Sequence, residues 1–186
     1  MNGNIALLII DVQTSILAVP MKNEQEVTEK FADVITRISQ LLSKARSSST
    51  PVIYVQHDGA PGHRLEKGSP GWEIHPAIAP KPDELVVNKQ FCDSFFETTL
   101  QEELGQRGIQ HLVVAGCMTQ YCIDTTCRRA VSLGYDVTLA GDAHTTSDND
   151  VLNVHQIVAH HNRLLDDFDA GAHRITIKQS GEIDFL

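Results

Sequence analysis

The chain has 186 residues, of which 41% are hydrophobic and 21% are charged, and its formal net charge is -9. A chain of this length buries roughly 70% of its unfolded surface, so we expect a single domain over residues 1–186 that folds without disulfide or metal crosslinks. Nucleic acids and anionic membranes are bound mainly through clustered Lys and Arg. The acidic balance therefore argues against both as main partners and favours a small-molecule substrate.

Neither a membrane span nor a secretion signal is predicted. The longest apolar run, residues 5–10, is far shorter than the roughly 20 residues that a membrane-spanning helix needs. No basic start followed by an apolar stretch and a small-residue cleavage site precedes that run. We therefore expect a cytoplasmic protein.

The first part of the chain alternates between short apolar runs and helical spacing. Residues 5–10 predict a buried strand, and apolar residues at spacings of three and four after Asn23 predict a long helix that ends before Pro51. Residues 52–55 predict the second strand. The polar, Gly/Pro-rich segment 56–82 that follows is longer than a plain connection, so we expect a functional lid or pocket wall there.

The same alternation continues to the end of the chain. The next predicted elements are strand 84–89, helix 98–107, strand 111–116, helix 119–133 and strand 136–141. Residues 145–150 offer N-cap candidates for a helix whose apolar face runs from Val151 to Leu165, and residues 173–177 predict a sixth strand. Strands that are apolar on both faces and alternate with helices predict a Rossmann-like, three-layer α/β/α sandwich around a six-stranded, mainly parallel sheet.

Three reactive side chains fall at one edge of this predicted sheet. Ligands of such sheets bind outside the carboxyl ends of the strands. Asp11 follows the first strand, Lys89 ends the third, and Cys122 lies in the first turn of the helix after the fourth. Because strands one and four flank the usual topological switch point, we expect Asp11 and Cys122 to lie close together.

The sequence contains Cys117, Cys122 and Cys127 at intervals of five residues. Five residues on a helix rise about 7.5 Å and turn about 140°, which excludes a disulfide between Cys122 and Cys127. Cysteine-based zinc sites usually contain more closely spaced pairs, so a metal site is not expected here. Cys127 shares a stripe with apolar residues and predicts a core thiol. For Cys117 and for Cys92 no chemistry follows from the sequence, and both are interpreted as structural.

Cys122 has a second interpretation, as a nucleophile. Free backbone N–H groups in the first turn of a helix and a nearby lysine both favour a thiolate, and the same N–H groups can bind the oxyanion of a tetrahedral adduct. A partly desolvated Asp11 has a raised pKa and can take the thiol proton. Without such neighbours the ordinary interpretations hold: a core cysteine, a turn-capping Asp11 and a solvated Lys89.

Several motifs in order resemble the isochorismatase-like hydrolases, and within them the cysteine hydrolases that include nicotinamidases. They are "ALLIIDVQ" at 6–13, "GWEIHP" at 71–76, "VVNKQFCDSFFETTLQEEL" at 86–104 and "HLVVAGCMTQYCIDTTCRRAVSLGYDVTLAGDAHTT" at 111–146. The resemblance spans nearly the whole chain and implies the isochorismatase-like fold and an Asp11, Lys89 and Cys122 triad. It also implies a cis peptide bond between Cys117 and Met118, and an oxyanion hole formed by the Met118 and Cys122 N–H groups. A homodimer or larger homo-oligomer is implied as well, and no cofactor is expected.

The long loop departs from the nicotinamidase pattern. Nicotinamidases carry an Asp-x-His metal motif after the second strand, whereas this chain reads "VQHDGAPGH". A zinc-dependent nicotinamidase is thus disfavoured, and we expect no metal, although His57, His63 and His75 leave a loop site open. The predicted substrate contacts are Gln13, Trp72, Phe91 and Tyr121.

These residues together predict a hydrolase that cleaves a small amide-type C–N substrate through a thioester on Cys122. Three alternatives stay open at this point. An isochorismatase-type ether hydrolase needs no cysteine nucleophile, a redox thiol protein would pair Cys122 with Cys92 or Cys117, and a binding module would bind a ligand without turnover.

Overall fold

The computed structural model describes residues 4–16, 18 and 24–185, and within them seven strands form one sheet. The strands are β1 (Ile5–Ile10), β2 (Val52–His57), β3 (Leu85–Lys89), β4 (His111–Cys117), β5 (Asp136–Thr145), β6 (Asp169–Ala170) and β7 (His173–Lys178). The α-helices are α1 (Glu24–Ser47), α2 (Leu100–Gln106), α3 (Asp124–Ser132) and α4 (Val154–Leu165). The predicted helix start at Asn23 lies outside the described residues.

The strand order is β3-β2-β1-β4-β5-β7-β6. Every neighbouring pair is parallel except β6 with β7. Strands β1 and β4 are adjacent, with Ile10 opposite Gly116, so the chain reverses its direction of winding between them. The predicted α/β class and mainly parallel sheet are confirmed. The predicted count of six strands is wrong, because β6 has only two residues and leaves no apolar pattern.

Alternating side chains of the central strands bury both faces of the sheet. Leu7 and Ile9 of β1 pack in one cluster with the apolar face of α1, while Leu8 and Ile10 pack in another with residues of α2 and α3. Helix α1 stays helical over 24 residues because its buried side chains recur on one stripe: Val27, Val34, Ile35, Ile38, Leu41, Leu42 and Ala45. This gives the three predicted layers.

The region between β5 and α4 differs from the prediction. Strand β5 continues to Thr145, beyond the predicted end at residue 141, and its register against β4 shifts between Val114 and Gly116. Helix α4 begins later than expected, with Asn153 as N-cap in a capping box with Gln156. Val151 is 85% exposed and precedes the helix, so its predicted place on the buried face is wrong. None of the helices in the described part of the chain combines the length and apolarity needed to cross a membrane.

Candidate active site

Asp11, Lys89 and Cys122 meet at the carboxyl edge of the sheet. Asp11 directly follows β1 and has a left-handed φ of 50°, which Asp tolerates better than most residues. Lys89 is the last residue of β3, and Cys122 lies in a π-helical turn, Thr119–Ile123, between β4 and α3. The parallel register of neighbouring strands thus converts three distant segments into one cluster.

The Lys89 ammonium lies between the other two groups. Its Nζ is 2.6 Å from Asp11 Oδ2 and donates to Cys122 Sγ at 3.2 Å. It also donates to the carbonyl of Phe91 at 3.0 Å. The side chains of Lys89 and Asp11 are 0% and 1% exposed, respectively, so water screens this ion pair very little.

Burial and mutual contact perturb the pKa of every member of the cluster. Burial, followed by the charge of Cys122, raises the pKa of Asp11 well above its ordinary value against the opposing charge of Lys89. A hydrogen bond with Cys92, followed by burial, raises the pKa of the Cys122 thiol. Burial works to lower the pKa of Lys89, but the charges of Asp11 and Cys122 raise it above its ordinary value. Lys89 is therefore held as a cation, and Asp11 and Cys122 beside it are two groups that can exchange a proton.

The turn that carries Cys122 has an unusual backbone. The Cys117–Met118 peptide bond is cis, as predicted from the resemblance. The Met118 carbonyl accepts hydrogen bonds from the N–H groups of Tyr121 and Ile123, at 3.1 and 3.3 Å, and the second of these gives the turn its π-helical form. Gly116 precedes the turn with φ 129°, and a Cβ there would lie 2.1 Å from the Ile10 carbonyl oxygen. Glycine thus lets β4 approach β1 beside Asp11.

A chain of hydrogen bonds connects this turn to β5 and α4. Asn162 of α4 donates through Nδ2 to the Gly141 carbonyl, and its Oδ1 lies 2.8 Å from His144 Nε2. Since Oδ1 can only accept, Nε2 carries the proton of a neutral His144, and Nδ1 accepts from the Thr119 hydroxyl at 2.9 Å. Burial lowers the pKa of His144 to about 4, which keeps the ring neutral. The sequence reasoning missed this network because its members come from three elements whose packing is not encoded locally.

The predicted substrate residues fall into two groups. Phe91, 46% exposed, and Tyr121, 52% exposed, lie at the surface near the cluster, and Phe91 packs edge-on against Phe96 at 5.1 Å. Phe91 also lines two cavities of about 710 and 300 Å³ that share Asp58, and the smaller of them includes Lys89. Both cavities thus lie between the long loop and the segment after β3, and the smaller one borders Lys89 of the triad.

The other two predicted residues, Trp72 and Gln13, form hydrogen bonds within or to the long loop. Trp72 donates from Nε1 to Asp58 Oδ1 at 2.7 Å, and Lys67 and Asn88 donate to the same carboxylate. Gln13 is fully buried, and its described hydrogen bonds go to the backbone of His57 and Trp72. The described hydrogen bonds of Gln13 thus do not include Asp11, and a substrate contact through Gln13 or Trp72 stays a prediction.

The loop histidines do not converge. The rings of His57 and His63 are 6.1 Å apart and both border the larger cavity. His75 instead accepts from the Ala77 N–H through Nδ1 and packs edge-on against Phe31. Within the described ranges no three His, Cys, Asp or Glu side chains are grouped as metal ligands would be.

Comparison with known proteins places this geometry in context. A model of the isochorismatase domain matches residues 5–179. Streptothricin hydrolase from Streptomyces noursei is 38% identical over 143 residues, which cover 77% of this chain and 50% of that protein. A ureidoacrylate amidohydrolase from Variovorax paradoxus is 38% identical over 82 residues, 44% of this chain and 32% of that protein. The crystal structure of an isochorismatase from Pseudomonas putida has a TM-score of 0.86 at 28% identity, covering 98% of this chain and 91% of that one. The chain thus spans about half the length of streptothricin hydrolase.

Proposed function

Because the chain belongs to the isochorismatase family, we propose that it is a cysteine-dependent hydrolase of small amide-type C–N substrates, with Asp11, Lys89 and Cys122 as its catalytic triad. Two similar proteins carry names that fit this class, a streptothricin hydrolase and a ureidoacrylate amidohydrolase. The presence of a cysteine at position 122 favours acyl chemistry over the hydrolysis of an ether, which needs no thiol nucleophile.

The observation that carries the proposal is the contact of a buried ammonium with both a carboxylate and a thiol. With Lys89 held as a cation, a negative charge on either Asp11 or Cys122 is stabilised at short range. A proton can therefore pass between the two without leaving an uncompensated charge in the buried site.

The proposed reaction begins when Asp11 takes the proton of the Cys122 thiol. The sulfur then attacks the carbonyl carbon of the substrate, and the oxyanion is bound by the N–H groups of Met118 and Cys122. Asp11 returns the proton to the departing nitrogen as the C–N bond breaks. Water, activated by the same carboxylate, hydrolyses the thioester and restores the thiol. Lys89 keeps its charge throughout.

The cavity geometry supports a small substrate. The smaller cavity, beside Lys89, is bordered by Phe91, Asp58 and Glu97, and the larger cavity shares Phe91 and Asp58 with it and adds His57 and His63. An aromatic face beside hydrogen-bonding groups suits a planar amide, ureide or carbamate, whose own face is apolar and whose edges donate and accept.

The test is ammonia release from a panel of small primary amides, ureas and carbamates. Wild-type protein is expected to turn over members of at least one class, and Cys122→Ala should lower the rate roughly a thousandfold or more. Cys127→Ala is the matched control, because Cys127 is buried in α3 and faces the core. Its activity should stay near that of the wild type.

A covalent intermediate gives a second readout. Mass spectrometry of acid-quenched protein should detect an acyl group on Cys122 during turnover and none on the Ala variant. Full activity in Cys122→Ala would contradict the proposal. Isochorismate hydrolysis that survives in this variant would instead indicate the ether hydrolase.

A further inference from the structure

Cys92 lies next to Cys122 in the folded chain. Lys89 Nζ donates to Cys122 Sγ at 3.2 Å and to the carbonyl of Phe91, the residue before Cys92, at 3.0 Å, and Cys92 is exposed while Cys122 is partly buried. The remaining cysteines, Cys117 and Cys127, are fully buried. All four lie within the described residues, and Cys92 is the most exposed thiol among them.

Hydrogen bonds of the surrounding segments hold the Cys92 backbone next to Cys122. Thr126 lies one helical turn beyond Cys122, on the same side of the helix. Its hydroxyl donates to the Cys92 carbonyl at 3.4 Å, and it also bonds the Ser94 N–H at 3.2 Å and the Ser94 hydroxyl at 2.8 Å. From the other side, Lys89 holds the Phe91 carbonyl. The backbone at Phe91, Cys92 and Ser94 is therefore held by hydrogen bonds to Lys89 and Thr126.

We propose that Cys92 is an oxidation site, at which a hydroperoxide triggers a reversible disulfide with Cys122. This inference goes beyond the proposed hydrolase function and does not depend on a substrate; from the triad it uses the Cys122 sulfur, the charge of Lys89 and Asp11 as a proton acceptor. Its basis is an exposed thiol whose backbone is held by hydrogen bonds next to a second thiol that is only partly buried.

The chemistry balances with the hydroperoxide as the only oxidant. The Cys92 thiolate attacks a peroxide oxygen, the O–O bond breaks, and the departing alkoxide or hydroxide takes up a proton, which leaves a sulfenic acid on Cys92. Asp11 accepts the Cys122 proton, the Cys122 sulfur attacks the oxidised sulfur, and the S–O bond breaks with hydroxide leaving as water. Two thiols have then lost two electrons, and the peroxide has gained them.

The electrostatics of the pair favour Cys92 as the sulfur that is oxidised first. The hydrogen bond from Cys122 lowers the pKa of Cys92 to about 6, so its thiolate is populated at neutral pH. The charge of Lys89 acts in the same direction. Exposure and thiolate character therefore coincide on this residue, as they do at oxidation-sensitive cysteines in general.

A closed disulfide would remove the Cys122 sulfur from the triad. Hydrolysis would stop, and reduction by a dithiol would restore it. The bond would also shield Cys122 from further oxidation to the sulfinic acid, which is irreversible without a dedicated repair enzyme. We therefore expect the disulfide to inactivate the protein reversibly and to prevent its irreversible inactivation.

The experiment treats purified protein with hydrogen peroxide and follows the mass of the intact chain and of its tryptic peptides. Wild type should lose the mass of two hydrogen atoms, and fragment ions should join Cys92 to Cys122. Dithiothreitol should reverse the change fully. Cys127→Ala, the matched control, should behave as wild type, and Cys92→Ser should form no such bond.

Two variants separate the order of events and guard against misfolding. In Cys122→Ser, dimedone should trap a sulfenic acid on Cys92, which has lost its partner. In Cys92→Ser, longer peroxide treatment should give sulfinic acid on Cys122 that dithiothreitol does not remove. The wild-type disulfide is read directly, so the test stands even if a variant folds poorly.

The inference is overturned if oxidised wild type contains no bond between Cys92 and Cys122, or if dithiothreitol fails to reverse the bond. It is also overturned if dimedone labels no sulfur at position 92. These mass measurements require no turnover, so a protein that hydrolyses nothing in the amide panel can still pass or fail them. Failure of the hydrolase proposal and failure of this one are thereby distinguishable.

Discussion

Replacing Lys89 by Met tests the electrostatic core of the site. Met has a similar length and no charge, so it leaves the packing largely intact and removes the cation between Asp11 and Cys122. In wild type the ammonium is 2.6 Å from Asp11 Oδ2, and both side chains are excluded from solvent. The variant therefore contains a buried carboxyl group without its counterion.

The size of the effect follows from this geometry. Two unit charges 2.6 Å apart attract each other by about 6 kcal/mol at an effective dielectric constant of about 20. Desolvation of the pair offsets part of that attraction, and removal of one partner of a buried ion pair typically lowers the free energy of unfolding by about 3–5 kcal/mol. Protonation of Asp11 limits the loss, because a neutral carboxyl group needs no counterion.

This limit gives the effect a pH dependence with a definite sign. The pKa of Asp11 in the folded protein is already above its ordinary value of 3.8, and loss of the Lys89 charge raises it further. A group with a raised folded-state pKa contributes stability at low pH that is lost as the pH rises through that pKa. The deficit of Lys89→Met should thus be small in acid and grow towards neutral pH.

The assay is urea unfolding of wild type, Lys89→Met and the double variant Asp11→Asn/Lys89→Met across the acidic to neutral range. The double variant contains neither the buried carboxyl group nor the buried ammonium. It should therefore recover much of the lost free energy of unfolding and show a flatter pH dependence. A deficit of equal size at every pH, or one that the double variant fails to relieve, would refute the electrostatic reasoning and indicate a packing defect.

Three further predictions concern the support of the site. Burial lowers the pKa of His144 from 6.5 to about 4. The neutral ring should therefore contribute roughly 3 kcal/mol to the free energy of unfolding, which is complete above pH 6.5 and is lost as the pH falls towards 4. In urea unfolding, His144→Gln should lack this pH dependence. Gly116→Ala places a Cβ against β1 at a positive φ and should lower the free energy of unfolding by on the order of 3 kcal/mol, whereas Gly105→Ala, in open space on α2, should gain up to about 1 kcal/mol in the same titration. Trp72→Phe removes a donor to Asp58 and should lower stability by about 1–2 kcal/mol and raise the pKa of that carboxyl, as measured by carboxyl NMR titration.

Local patterns were enough to predict the class of fold. Each strand and helix leaves a period in its own residues, and short apolar runs that alternate with helical stripes favour a parallel sheet. The parallel order then brought Asp11, Lys89 and Cys122 to one edge, because the carboxyl ends of such strands coincide. The three side chains do lie in contact, while their catalytic roles stay predictions. The single domain, the cytoplasmic location and the homo-oligomeric state are likewise untested.

The incorrect predictions concern segments whose hydrophobic period is short or interrupted. Strand β6 was missed because two residues carry no alternation, and the start of α4 was placed too early because several polar residues before it can each serve as an N-cap. Val151 followed the apolar spacing but lies outside the helix. In each case the chain had several locally acceptable solutions, and packing of distant elements selected one.

Periodicity and spacing were enough to predict the alternating strands and helices, the sheet edge that carries the reactive side chains, and the residues of the ion pair. Three contacts could be found only in the folded chain: the Cys92 segment lies next to Cys122, Thr119 is linked through His144 to α4, and Gln13 binds the loop backbone. The physical reason is range: periodicity records which side of an element is buried, whereas a contact between side chains from separate elements depends on how those elements pack.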